Sequence, residues 1–141
     1  AELLVSQTSS ILDANRRDLD KSTDLSGPMK ERLALNPKRI LSMAQGLRDV
    51  AGLPDPVGQI REGSLRPNGL EVRKIGVPLG VIFFLYESRP NVTSDAAGIC
   101  LKSGNSVILR GGKEAQHTNE FIVNLLQSRL RQHGLPEGVL Q

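Results

Sequence analysis

Residues 79–114, LGVIFFLYESRPNVTSDAAGICLKSGNSVILRGGKE, contain two apolar runs on either side of a segment with helical character. The first run, residues 79–86, is apolar throughout, which is typical of a strand in a parallel sheet that helices cover on both faces. The second run is residues 106–109. Small residues between the runs predict a helix that Thr93 or Ser94 caps and that Gly104–Asn105 ends. Strand, helix and strand in this order predict a parallel sheet with a right-handed crossover.

The same alternation continues towards the C-terminus. Residues 110–114 form the next strand-to-helix turn, and the following helix stops at Gly134, with Pro136 just beyond. Val139–Leu140 begins a third strand. The predicted apolar face of the helix consists of Phe121, Ile122, Leu125, Leu126 and Leu130.

The N-terminal half has a different pattern. Residues 2–21 read as a helix, and Asn36-Pro37 pairs a capping residue with proline at the first helical position of another. Residues 52–60, GLPDPVGQI, predict a turn-rich connector, and residues 70–76 predict an exposed strand. We therefore expect an α/β chain in which residues 1–69 are an N-terminal helical segment with its connector. Residues 70–141 would be part of a parallel, Rossmann-like βαβαβ cofactor-binding domain.

Composition narrows the function. The chain has 141 residues, a net charge of +3 and 3% aromatic residues, without a Lys/Arg tract, so no nucleic-acid partner is expected. No apolar run is long enough to cross a membrane, and the N-terminus does not resemble a signal peptide. The single cysteine, Cys100, is typical of a cytoplasmic protein, and its place on the apolar side of a helix argues against a nucleophile. His117 and His133 lack the neighbours of a metal site, so no metal is expected.

Two loops carry the unusual residues, ESRPN at residues 87–91 and RGGKE at residues 110–114. Both follow strands of the predicted parallel sheet, where ligands of open α/β sheets bind. In the second loop, the glycines allow a close backbone approach and the cations Arg110 and Lys113 suit phosphate. The alternative is a flexible turn with solvated side chains.

The first loop allows the same two interpretations. Arg89 offers a fixed cation for an anionic substrate group, and Ser88 and Asn91 offer hydrogen bonds. The alternative is a rigid surface turn in which Glu87 pairs with Arg89.

The motifs resemble the γ-glutamyl phosphate reductases, a family with an aldehyde-dehydrogenase-type fold. ESRPN, LKSGN and LRGGKE occur together, and ANRRDL, LALNPKRI and LPDPVGQI precede them in the family's order, so the resemblance covers essentially the whole chain. It implies an enzyme that reduces L-glutamyl 5-phosphate to L-glutamate 5-semialdehyde and phosphate with NADPH, in proline biosynthesis. It also implies a homo-oligomer and a coupling to glutamate 5-kinase.

The resemblance also assigns residues. It places Arg110 and Lys113 against the adenosine ribose, where a cation suits the 2′-phosphate of NADP. The predicted cofactor contacts are Tyr86, Glu87, Ser88, Arg110, Gly111, Gly112 and Lys113. The predicted substrate contacts are Arg89 and Asn91.

The family's catalytic cysteine, which attacks the acyl phosphate, has no counterpart here, because Cys100 does not lie in its motif. The chain therefore corresponds to the N-terminal portion of the family only, with no catalytic residue, and is expected to be inactive alone. The alternative is a standalone α/β module without enzymatic activity that binds an anionic ligand or a partner protein through the same loops.

Overall fold

The computed structural model describes residues 1–141 and contains six α-helices and four strands. The helices are α1 Glu2–Ser6, α2 Thr8–Lys21, α3 Gly27–Leu33, α4 Pro37–Gly52, α5 Pro90–Lys102 and α6 Gln116–Gln132. The strands are β1 Ile60–Leu65, β2 Glu71–Ile75, β3 Val81–Leu85 and β4 Ser106–Arg110. Single 3₁₀ turns lie at Lys113–Ala115 and Glu137–Val139.

Strands β3 and β4 form the predicted parallel pair. Their register runs from Val81 opposite Ser106 to Leu85 opposite Arg110. The predicted third strand is reduced to one parallel bridge between Leu140 and Val107, on the other side of β4 from β3. The sheet with its crossover helix α5 confirms the α/β fold class.

The prediction that β3 is buried on both faces is wrong. Ile82 and Phe84 pack with α5 and α6 around a core that includes Val107. The alternate residues point away from these helices and are largely exposed, at 68% for Val81, 62% for Phe83 and 66% for Leu85. The sequence is apolar at both sets of positions, but within residues 1–141 only one face of the sheet is covered.

The N-terminal helices pack directly on α6. The main apolar core joins side chains from α1, α2, α4 and α6, namely Leu4, Ile11, Ile40, Met43, Ala44 and Ile122. The predicted first helix is divided at Gln7, and α3 was not predicted. The cap of α4 is confirmed, because the side-chain oxygen of Asn36 accepts a hydrogen bond from the Arg39 amide. The division of the chain into residues 1–69 and 70–141 stays a prediction.

An antiparallel hairpin connects the two halves. Its second strand, β2, confirms the exposed strand expected at residues 70–76, and every residue of both strands is exposed. Its first strand, β1, begins at the end of the predicted connector and was missed. The IREGSL sequence of β1 contains Glu and Gly, which are depleted in strands, so propensity alone did not reveal it.

Helix α5 begins earlier than predicted. Neither Thr93 nor Ser94 is its cap, because the helix starts at Pro90 and Arg89 precedes it in an extended conformation, with φ −127° and ψ 90°. Proline favours the first helical position, and it disfavours helical geometry in the residue before it. The start of α5 therefore lies inside the ESRPN loop.

Candidate ligand-binding site

The two unusual loops leave the sheet side by side. Leu85 and Arg110 are opposite one another at the carboxyl ends of β3 and β4. The Tyr86 amide continues the ladder by donating to the Arg110 carbonyl at 3.1 Å. The loop of residues 86–89 therefore lies against that of residues 111–112, as the parallel arrangement requires.

The glycines of the second loop are held in close contact with the first. A Cβ atom on Gly111 would lie 2.3 Å from Nδ2 of Asn119 and 3.0 Å from the Tyr86 ring. A Cβ atom on Gly112 would lie 2.7 Å from Oε2 of Glu114 and 2.8 Å from the hydroxyl oxygen of Ser88. Packing against the first loop and against Asn119 and Glu114 thus leaves little room for a side chain at either position, a reason that the sequence alone did not supply.

Side-chain hydrogen bonds also connect the first loop to its surroundings. The Thr93 hydroxyl donates to the side-chain oxygen of Asn119 at 2.9 Å, so the Tyr86 hydroxyl, 2.8 Å from it, donates to Thr93. Burial raises the pKa of Tyr86, which further favours the protonated, donating form of its hydroxyl. The Ser88 hydroxyl donates to the Glu114 carboxylate at 2.8 Å, and this bond helps to lower the pKa of Glu114, after a backbone hydrogen bond. These bonds attach the first loop to α5, to α6 and to Glu114, whereas the flexible turn considered for the second loop stays an alternative.

Open cavities border these loops, and three of them together contain all of the predicted site residues. The first, the strand-end cavity, has a volume of about 360 Å³ and is lined by residues that include Tyr86, Arg110, Gly111, Gly112, Lys113 and Asn119. The second, the inter-loop cavity, measures about 440 Å³ and is lined by Tyr86, Glu87, Ser88, Gly112, Glu114 and Arg32, with Met29. Tyr86 and Gly112 border both cavities, so the two are neighbours.

The third cavity, the arginine cavity, measures about 340 Å³ and lies where α3 and α4 face the start of α5. Its polar lining includes Arg32, Arg39, Arg89, Asn91 and Asp95. Arg32 also borders the inter-loop cavity, so each of the three cavities shares lining residues with the next, and we call them the row of cavities.

The structure therefore divides the predicted site residues between the two ends of this row. Arg110, Gly111, Gly112 and Lys113 lie at the strand end. Arg89 and Asn91 lie in the arginine cavity, while Tyr86, Glu87 and Ser88 lie between the two ends.

The alternative interpretation of ESRPN, a pair between Glu87 and Arg89, is wrong. The Glu87 carboxylate lies 3.6 Å from the guanidinium of Arg32 in α3. The Arg89 side chain forms neither an ion pair nor a hydrogen bond within the chain, although its backbone amide donates to the Glu87 carbonyl at 2.7 Å. Arg89 is therefore a cation free to meet a ligand.

Several lining residues were missed by sequence reasoning. Asn119 lies one turn into α6, and its proximity to the glycine turn was the only sequence signal for it. Arg32 belongs to the unpredicted helix α3, and Asp95 was hidden inside a predicted helix.

Cys100 has an apolar environment, unlike the residues that line these cavities. It is 7% exposed in the core beneath the sheet, and burial raises the pKa of its thiol. A raised pKa leaves little thiolate, the form that attacks carbonyl groups. No three His, Cys, Asp or Glu side chains are grouped so that they could hold a metal ion, and none of the helices has the length and apolar character to span a bilayer.

No family model matches the chain, but individual relatives do. γ-Glutamyl phosphate reductases of Xanthomonas campestris pv. campestris (strain 8004) and Geobacter metallireducens are 50% and 51% identical to it. Each alignment covers 99% of the chain and 34% of the relative. The chain thus spans about one third of the length of these curated relatives.

Solved structures with the same name superpose closely. The chain matches the γ-glutamyl phosphate reductase of Thermotoga maritima with a TM-score of 0.92 and 39% identity, over 99% of the chain and 34% of that protein. It matches the Saccharomyces cerevisiae protein with a TM-score of 0.90 and 33% identity, over 99% of the chain and 37% of that protein. The resemblance predicted from the motifs is confirmed: from end to end, the chain resembles about one third of a γ-glutamyl phosphate reductase.

Proposed function

We propose that the chain supplies the N-terminal, cofactor- and substrate-binding part of an NADPH-dependent reductase that converts L-glutamyl 5-phosphate to L-glutamate 5-semialdehyde and phosphate. The observation that carries the proposal is the row of cavities that starts at the carboxyl end of β4 and reaches the beginning of α5. Cations lie at both of its ends, which suits a phosphorylated cofactor at one end and an anionic substrate at the other. The end-to-end similarity to γ-glutamyl phosphate reductases supports the reaction class.

The strand-end cavity fits a dinucleotide in its chemistry. Arg110 and Lys113 are cations without an ion-pair partner in the chain, and Gly111 and Gly112 leave the adjoining backbone free of side chains. Lys113 would hold the 2′-phosphate, which favours NADPH over NADH, and Arg110 would hold the ribose beside it. When bound, NADPH supplies the hydride for the reduction.

The inter-loop cavity would receive the reacting ends of cofactor and substrate. Tyr86, Glu87 and Ser88 border it, and the hydrogen bonds of Tyr86 and Ser88 to groups within the protein hold the loop in place. A loop positioned in this way can orient two reactants without reorganising during the reaction. Arg89 and Asn91 would bind the substrate from the neighbouring cavity.

Cys100 would not be the attacking thiol, a part of the proposal that its burial and its raised pKa support. The nucleophile would come from a part of the full-length protein (the product of the gene that contains this chain) beyond these residues. The 141-residue chain alone would therefore show no turnover.

The proposal extends to the setting of the reaction. Acyl phosphates hydrolyse readily, so a reductase that uses one gains from contact with the kinase that makes it, here glutamate 5-kinase. Both would act in the cytoplasm. The exposed hairpin carries Leu65 at 75% and Ile60 at 55% exposure, and it suits contact with a second copy in a homo-oligomer.

The test is an assay of the full-length protein in the oxidative direction. We expect phosphate-dependent reduction of NADP by L-glutamate 5-semialdehyde, and no reaction when phosphate is omitted. A full-length protein that folds but shows no such turnover would contradict the proposal and favour a binding module without enzymatic activity.

A further inference from the structure

The arginine cavity carries charges of both signs. Its three cations are Arg32 in α3, Arg39 in α4 and Arg89 just before α5, and its single carboxylate is Asp95, in the second turn of α5. A site for a simple anion needs cations alone. The carboxylate therefore requires its own explanation.

The arginines of this cavity are not equivalent. Arg39 is committed to the structure, since its guanidinium donates to the backbone carbonyls of Glu31 and Ala34. Arg32 forms only a long, exposed ion pair with Glu87, at 3.6 Å. Arg89 has no partner and is anchored by Pro90, which is buried at the start of α5. Arg89, with Arg32 beside it, is thus available to a carboxylate on a ligand.

Asp95 likewise lacks a partner of opposite charge. It is partly buried, and burial is the main reason that its pKa is raised. The Asn91 amide donates to Oδ2 of Asp95 at 3.2 Å, but no Lys or Arg side chain pairs with the carboxylate. A partly buried carboxylate without a cation is stabilised by a ligand that brings one.

We propose that the arginine cavity binds the α-amino-acid head group of the substrate, with Asp95 receiving the α-ammonium group and Arg89, assisted by Arg32, receiving the α-carboxylate. Besides its proposed contact with the substrate, Asn91 is a positioning residue, because its amide donates to the Asp95 carboxylate and so orients it. The γ-acyl end of the same molecule then extends towards the inter-loop cavity, which Arg32 also borders. This inference rests on the proposed function and assigns the end of the substrate that does not react.

The experiment compares three aldehydes in the phosphate-dependent oxidation by the full-length protein. L-Glutamate 5-semialdehyde carries both head-group charges, 5-oxopentanoate lacks the ammonium group, and 4-aminobutanal lacks the carboxylate. The Asp95→Asn variant keeps the size of the side chain and removes its charge. The matched control is Asp49→Asn, which removes an exposed carboxylate on α4 outside the cavity.

We expect Asp95→Asn to raise the KM for L-glutamate 5-semialdehyde by about tenfold or more and to leave the KM for 5-oxopentanoate within about twofold. Asp49→Asn should leave both unchanged. Equal effects of Asp95→Asn on the two aldehydes would overturn the proposal, even with the wild-type reaction intact. Absence of any wild-type turnover would instead overturn the proposed function and this inference with it.

A second variant covers the case in which Asp95→Asn fails to fold. Arg89 is exposed, and its side chain forms no ion pair or hydrogen bond within the chain, so we expect Arg89→Gln to fold normally. It should raise the KM for the two aldehydes that carry a carboxylate by about tenfold and spare 4-aminobutanal. A uniform rise for all three aldehydes would assign Arg89 to the reacting acyl end and overturn its role at the head group.

Discussion

The arginine cavity contrasts with a second polar cluster, the capping network of Asn15, Asp18 and Thr118, where α2 meets the start of α6. Asp18 is 2% exposed, and it accepts hydrogen bonds from the amides of His117 and Thr118 at 3.0 and 2.8 Å and from the Thr118 hydroxyl at 2.6 Å. In the capping network the partners come from the chain itself. In the arginine cavity the charges of Arg89 and Asp95 lack an ionic partner. The difference separates polar groups that stabilise the fold from those left for a ligand.

Asn15 completes the capping network. Its side chain donates to the Leu33 carbonyl at 2.9 Å and to the Thr118 hydroxyl at 3.2 Å, and it accepts from the Leu35 amide at 2.7 Å. These bonds attach the end of α3 to both α2 and α6. The network thus positions the helix that carries Arg32, so the structural cluster supports the ligand-binding one.

The strongest test of this contrast is Asp18→Ala. The change leaves three donors at the start of α6 without their acceptor, and we expect a loss of about 3 kcal/mol in the free energy of unfolding. Urea denaturation of the full-length protein, followed through the first transition, measures it. Asp20→Ala, at an exposed position on the same helix, is the control and should change little. Equal, small effects would mean that the network does not stabilise the fold as its geometry indicates.

Gly111→Ala tests the junction between the loops, with the next largest expected effect. The new Cβ atom would lie 2.3 Å from Asn119 and 3.0 Å from Tyr86, so both must shift, at a cost of about 2 kcal/mol. Weaker NADPH binding should accompany the loss, because the strand-end cavity shares both residues. Thermal unfolding and fluorescence titration with NADPH measure the two effects. At the control position, Gly138, the nearest atom to an added Cβ is 3.9 Å away, and an equal loss in Gly138→Ala would contradict the packing argument.

Sequence patterns pointed to the lining residues of the strand-end cavity, but they missed Arg32 and Asp95 in the arginine cavity. Alternating strands and helices are local patterns, so they located the adjacent loops and with them Arg110 and Lys113. Asp95 and Arg32 lie 63 positions apart, and their proximity depends on the packing of α3 and α4 against α5, which no local pattern encodes. The exposed face of β3 was missed for a related reason, because an apolar side chain does not reveal whether another element covers it.

Lys113→Gln tests whether a free cation in the strand-end cavity selects the cofactor. Lys113 is exposed and unpaired, and we expect its loss to raise the KM for NADPH about tenfold, a difference of about 1.4 kcal/mol, while the KM for NADH stays unchanged. Steady-state kinetics with both cofactors measure this ratio. Lys38→Gln removes an exposed charge on α4 and should affect neither cofactor. If Lys113→Gln raised the KM for NADPH and the KM for NADH equally, Lys113 would not be the residue that binds the 2′-phosphate.

Cys100→Ala should have the smallest effect of these changes. It tests a residue of the apolar core, which we expect to have a structural role only. Cys100 borders neither the capping network nor a cavity of the row, and it packs among Ala97, Val107 and Leu140. Its removal should cost about 1 kcal/mol of stability and leave turnover by the full-length protein unchanged. Because burial raises the pKa of the thiol, Cys100 should also resist alkylation by iodoacetamide at pH 7 in the folded protein and react only on unfolding. Loss of turnover in a folded Cys100→Ala protein would show that a buried thiol in the apolar core acts in the reaction. Burial and pairing within the chain would then not separate structural groups from those that act on a ligand.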